Sequence, residues 1–414
     1  MSLRTRREVV VTPGPTMIPD EVLSAMHRPT VDLYSEELHQ VTLSCLRDLR
    51  VIFRSKGDPY IYAANGHGAW EAALSNSLTR GDTVLVLESG QFAKGWGEMG
   101  KMLGLEVDTL EGDWRAAIDP AKLRARLEAD KAHAIKAILT VQVDTASGVR
   151  NDIVAIRKAI DAARHPALLM VDVIASLGAI PFEMDEWGVD VAVGAAQKAL
   201  MMTPGLAFVL ANPKAKAANR TAGLRTLYWD WQFRDGPEHY KRYCGTCPEH
   251  LLFGLRKSLD LILAEGLEAV HRRHRLLAEA TRRAIAAWTR GGALAFNIEK
   301  PQERSDSVSV VRMEAESAKR LLDFCRHVCG VVLGVNIGGL DGQGFRIGHM
   351  GDVSAPTILG TLAVVETALQ ALAIPHGKGG VDAAMAYLAE AIAIQPAAIR
   401  QEAAPARKSA VAAE

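Results

Sequence analysis

The sequence predicts an α/β fold: a mostly parallel central sheet with helices on both faces, followed by a smaller C-terminal α+β domain. Between about residues 61 and 211, short β-branched runs are apolar throughout rather than alternating, as strands buried on both faces are. Helical patterns separate these runs, which is the signature of parallel crossovers. Beyond Gly291-Gly292 the pattern changes to short strands mixed with two helices, marking the second unit.

From the N-terminus, Arg4, Arg6 and Arg7 precede an apolar run of only Val9, Val10 and Val11 before Thr12-Pro13-Gly14-Pro15, too short for a signal peptide. A short apolar strand then enters the turn Asn65-Gly66-His67-Gly68, which opens a helical run. Strands are expected at 83–87, 134–139, 167–171, 189–193 and 206–210, with an amphipathic helix over 151–164. A long helical stretch from 250 to about 290 should break at Gly266. The second unit carries strands at 307–311 and 344–348 and helices at 317–328 and 356–372. The expected division is an N-terminal arm (1–25), a large domain (26–285), a small domain (286–400) and a tail (401–414) with no apolar period.

Composition narrows the function. Of 414 residues, 49% are hydrophobic and 23% charged, enough for large cores in a water-soluble chain. Forty-eight basic residues balance forty-eight acidic ones, so the footprint of a general nucleic-acid binder is missing. The most apolar stretch, 358–374, carries Glu366 and Gln370 and falls short of the ~20 residues a bilayer needs. Five scattered cysteines favour a reducing, cytoplasmic setting, and the end Ala412-Ala413-Glu414 is no peroxisomal address. Cys244 and Cys247 form a Cys-x-x-Cys without a second pair at metal spacing, so no metal site is expected.

Candidate chemistry begins with Lys198, placed where an apolar strand leaves the sheet beside small residues. A lysine desolvated there can form a Schiff base with an aldehyde, although a surface lysine has the same local sequence. Asp172 ends the run 167–171, at the strand end where open α/β sheets bind ligands. It can hold a pyridine nitrogen protonated, or cap the next helix. The Asn65-Gly66-His67 turn suits a phosphate at a helix start, but Glu71 stands where a dinucleotide fingerprint needs its third glycine. Phe92 can stack on a heterocycle or pack in the core. Thr145 lies in a hydroxyl-rich turn, and Arg346, between Phe345 and Ile347, needs an anion: a substrate carboxylate or a structural partner.

Taken together, these residues follow an order that resembles the class V, fold type I pyridoxal-phosphate aminotransferases, of the serine/alanine–glyoxylate group. The resemblance runs from Pro13-Gly14-Pro15 to about Leu372 and is most specific at 66–74, 185–192, 197–200 and 345–349. It implies pyridoxal 5'-phosphate as cofactor, Lys198 as the Schiff-base lysine and Asp172 on the pyridine nitrogen. Phe92 takes the stacking place; Asn65, Gly66, His67 and Gln197 take the phosphate, and Thr145 a hydroxyl position beside the ring. The resemblance also implies a homodimer in which Tyr243 and Thr246 complete the neighbouring copy's phosphate site. Arg346 then clamps the substrate carboxylate, with Gly14 and Tyr34 near the substrate. The implied activity is ping-pong transfer of the amino group of serine, alanine or aspartate to glyoxylate. Alternatives are a pyridoxamine–pyruvate aminotransferase, a cysteine desulfurase, or a cofactor-binding regulator without catalysis. The chain departs from many relatives at Gln142 and Asp144, where His and Glu are usual, and at Ala196, where Ser is. It also has Tyr34-Ser35 where plant-type enzymes have Tyr-Arg, which leaves the donor open.

Overall fold

A computed structural model describes residues 2–5 and 7–393. The expected tail and the end of the small domain lie outside these residues.

In chain order the strands are β1 (Val9–Val11), β2 (Asp58–Ala64), β3 (Thr83–Leu87), β4 (Glu106–Leu110), β5 (Ile135–Val141), β6 (Val143–Asp144) and β7 (Val149–Arg150). They continue with β8 (Leu168–Asp172), β9 (Val191–Ala195), β10 (Gly205–Ala211), β11 (Ala295–Phe296), β12 (Val308–Arg312), β13 (Val331–Val335) and β14 (Gly344–Gly348). A seven-stranded sheet runs β2-β10-β9-β8-β5-β3-β4, parallel except at β10, which is antiparallel to both neighbours. Its apolar faces are covered on both sides. One core holds Leu169, Val171 and Phe208; the other holds Met170, Val193 and Trp70. Because successive residues of β8 serve opposite cores, the strand reads as a continuous apolar run.

A five-stranded sheet runs β1-β13-β14-β12-β11 and packs on the helices Leu267–Thr289 and Ala355–Ala371 through Phe345, Ile347 and Leu362. The N-terminal arm is therefore part of it: β1 pairs in parallel with β13, Val10 opposite Val332. Gly266, at φ +84, separates the helix Glu249–Glu265 from Leu267–Thr289, as the sequence predicts.

Three local differences from the sequence reading have physical causes. The strand expected at 189–193 begins at Val191, because Asp190 turns its carboxylate to the amide of Leu169 (2.8 Å) and the side chain of Asn212 (2.8 Å). The helix expected at 317–328 is α-helical over Ala315–Asp323 and widens into a π turn over Phe324–Val328. β4 was unforeseen: Glu106 to Leu110 is a polar sheet edge with little apolar signal.

Candidate active site

The strand ends of the large sheet build the site. Asp172 is the last residue of β8, buried, and both carboxylate oxygens are engaged. Oδ1 accepts the Ile174 amide at 2.7 Å and Oδ2 accepts the indole Nε1–H of Trp70 at 2.7 Å. The first bond makes a local turn, so the helix-capping alternative is not realised. Burial, with a smaller push from the nearby charge of Asp144, raises the Asp172 carboxyl to about 7 against these two donors.

Lys198 follows β9, and its amine donates to the carbonyl of Pro13. Burial, then the charge of Arg346, lowers it to about 8, so an appreciable fraction is neutral and nucleophilic near physiological pH. Gly14 admits the lysine: it sits at φ +98, and a Cβ there would lie 2.5 Å from Lys198 Cδ. Thr16 fixes the strand-to-loop turn by donating to the Lys198 carbonyl at 2.8 Å.

Asn65 caps the helix Gly66–Ser75, its side chain accepting the His67 amide at 3.1 Å. Gly66 lets this helix start approach Ile174, since a Cβ would fall 2.4 Å from Ile174 Cδ1. Phe92 stands in the first turn of the helix Gln91–Met102, its ring edge-on to Trp70 at 6.4 Å.

Gly14, Asn65, Gly66, His67, Phe92, Thr145, Asp172, Gln197 and Lys198, chosen from sequence, all line one cavity of about 300 Å³. Arg346 is not on its wall. It lies behind Thr145, 7% exposed, donating Nη1–H to the Thr145 carbonyl (2.9 Å) and Nε–H to the Val335 carbonyl (2.8 Å). Its burial lowers it to about 10, with Asp144 opposing. Tyr34, Tyr243 and Thr246 lie away from the cavity of their own chain. Tyr34 is 73% exposed, Thr246 is exposed, and Tyr243 is buried with its hydroxyl 2.9 Å from Thr42 Oγ1.

Sequence reasoning did not assign roles to two residues that the structure brings into the site. Trp70 was part of a helical motif; its position one turn after His67 was the available signal for its donation to Asp172. Asp144 was noted as a departure only, yet it is fully buried and bonded to the amides of Phe92 and Ala93.

The residues fit a flat cofactor with an aldehyde, a ring nitrogen and an anionic tail. Lys198 and Asp172 face one cavity without bonding each other, an aromatic ring borders it, and a helix start opens onto it. The buried amide oxygen of Gln197 has no partner, and a half-turn of that amide presents donors in its place.

The sequence model described as Aminotransferase class-V matches residues 12–329. Serine–glyoxylate aminotransferase of Methylorubrum extorquens is 40% identical over 397 residues, spanning 94% of this chain and 97% of that protein. L-aspartate–glyoxylate aminotransferase of Paracoccus denitrificans is 37% identical over 388 residues, spanning 92% and 96%. Among solved structures, pyridoxamine–pyruvate aminotransferase from Mesorhizobium loti is similar with TM-score 0.86 and 27% identity, covering 94% of this chain and 100% of that one.

Proposed function

The chain belongs to the class V aminotransferases, and from that premise we propose that it transfers the amino group of a small L-amino acid to glyoxylate, giving glycine and a 2-oxo acid. The observation that carries the reading is the convergence of Lys198, Asp172 and Phe92 on one cavity, with a guanidinium behind its wall. Glyoxylate as acceptor is supported by the two relatives named for that activity, and their different donors keep serine, alanine and aspartate in play.

Pyridoxal 5'-phosphate, when bound, supplies an aldehyde that takes up the amine and a ring that accepts the electrons of the Cα–H bond. Asn65, Gly66, His67 and Gln197 would hold its phosphate, Phe92 its ring face, Thr145 its edge and Asp172 its nitrogen. Lys198 does the proton work. Lowered to about 8, its amine takes the proton from the substrate Cα and returns it on the other side of the transfer. Asp172, whose ionised form the Trp70 and Ile174 donors favour against its burial, would face the ring nitrogen and hold a proton there. Arg346, behind the wall, would take the substrate carboxylate through Nη2, the nitrogen that its two carbonyl partners leave free.

A homodimer is part of the proposal. Thr246 and Tyr34, exposed and off the wall of their own cavity, then serve the neighbouring copy, Thr246 together with Tyr243 at its phosphate. No helix among the described residues is long and apolar enough to cross a membrane, and five free cysteines support a cytoplasmic setting. A desulfurase needs a reactive thiol. No cysteine lines the cavity, and burial pushes Cys45 and Cys325 up to about 12.

The test is a donor panel: L-serine, L-alanine, L-aspartate and pyridoxamine, each with glyoxylate or pyruvate, followed by glycine or alanine formation. Glycine from glyoxylate, abolished in Lys198→Ala, is expected. Transfer from pyridoxamine to pyruvate alone would replace this reading with the other one.

A further inference from the structure

The helix Gln91–Met102 begins at Gly90, a residue with no side chain to cap it. Its first-turn amides would be orphans in a buried wall. They are satisfied from another part of the chain. Asp144, at the end of β6, places Oδ2 2.9 Å from the Phe92 nitrogen and 3.0 Å from that of Ala93. Its other oxygen, Oδ1, takes the Ala146 amide at 3.0 Å, which closes the turn carrying Thr145. One carboxylate thus pins both the aromatic residue and the hydroxyl residue that border the cavity. The same turn presents the Thr145 carbonyl to Arg346.

The fit leaves no slack. A Cβ on Gly90 would lie 2.2 Å from the Asp144 carboxyl carbon, so glycine at 90 and a carboxylate at 144 are a matched pair. The side chain is fully buried, and it never reaches the cavity itself. Burial pushes the Asp144 carboxyl up to about 6, and the three amides together with the charge of Arg346 work against that penalty in favour of the carboxylate.

We propose that Asp144 is a positioning residue: from β6 it caps the helix Gln91–Met102 and thereby sets the Phe92 ring and the Thr145 turn against the cofactor. The idea rests on the function proposed above. Asp144→Asn keeps the volume but turns an NH2 group toward at least one of three N–H donors, so one side of the clamp opens. Loss of a charge-assisted bond of this kind is expected to weaken pyridoxal 5'-phosphate binding about tenfold or more. The visible circular dichroism of the bound cofactor, which reports ring orientation, should fall with it.

Asp152→Ala is the control. Asp152 caps the helix Ile153–Ala162 by accepting the Ala155 amide at 2.9 Å, away from the cavity. It should lower the melting temperature while leaving cofactor affinity and the visible dichroism within about twofold. If Asp144→Asn does not fold, Gly90→Ala is read instead, since its methyl group drives the carboxylate from the amides. Wild-type dichroism and affinity in the variant that folds, or equal changes in the Asp152 control, would overturn the proposal. Failure of the wild-type protein to bind pyridoxal 5'-phosphate would instead sink the functional reading beneath it.

Discussion

Lys198 and Asp172 make opposite use of the same burial. Removal from water disfavours the charged form of each, lowering the amine to about 8 and raising the carboxyl to about 7. Cofactor capture by the apoprotein requires the neutral amine, so its rate should rise about tenfold per pH unit up to about 8 and level off above it. A stopped-flow series would show continued rise toward pH 10 if Lys198 were an ordinary surface lysine. Trp70 acts on the partner group. Trp70→Phe removes one of two donors to Asp172, each worth about 1.5–3 kcal/mol to a charged acceptor. The carboxyl then moves further up, so kcat should fall about tenfold and its acid limb should shift to higher pH. A pH–rate profile superimposable on that of the wild type would remove Trp70 from the site. Lys198 and Asp172 were legible in sequence because a polar residue ending an apolar run is an anomaly that demands a use. Trp70 was not, because an indole in an apolar helical face needs no explanation until its Nε1–H is seen to point at a carboxylate.

Helix starts do the recurring work at the level of elements. Asn65 caps the helix of the phosphate turn from within the sequence, and the motif is readable for that reason: cap residue, glycine and helical run are contiguous. The helix Gln91–Met102 takes its cap from Asp144, fifty-two positions away, which no local pattern discloses. Similarly, β10 looks like any other apolar strand; its antiparallel direction follows from pairing β2 on one side and β9 on the other. Asn65→Ala separates local from remote capping. It strips the acceptor from the His67 amide and should cost about 1 kcal/mol of stability. A thermal melt of the apoprotein should show the loss, and pyridoxal 5'-phosphate should bind more weakly because the helix start frays. An unchanged melting temperature would mean that water replaces the side chain at no cost.

Across the whole molecule the two sheets meet where the lysine sits. A seam of Val143, Ala175 and Ala199 against Val308, Val310 and Met350 joins them, and two buried histidines brace it. His274 donates from Nδ1 to the Val270 carbonyl (2.7 Å) and accepts the Gly351 amide at Nε2 (3.0 Å). His349 lies 2.9 Å from the Asp306 carbonyl and 3.0 Å from Ser309 Oγ. Burial holds both neutral, down to about 3 from an ordinary 6.5, with Arg273 and Arg282 adding repulsion. In the fold these rings stay neutral and take up no second proton until about pH 3, whereas the unfolded chain takes one on each below about 6.5. Stability is therefore lost as pH falls from 6.5 toward 3, by about 1.4 kcal/mol per unit for each histidine. Asp144 and Asp172 act in the other sense. Raised to about 6 and 7, they take up protons in the fold before the unfolded chain does, so acid relieves their burial. The two effects offset each other in the apoprotein, and only a variant exposes either one. His349→Gln removes one of these offsetting groups, so its stability should gain on that of the wild type as pH falls from 6 to 4, the difference in slope approaching that of one proton, about 1.4 kcal/mol per unit. Parallel curves for the two proteins would show that His349 is already protonated in the fold, and with it that the seam beside Lys198 admits water.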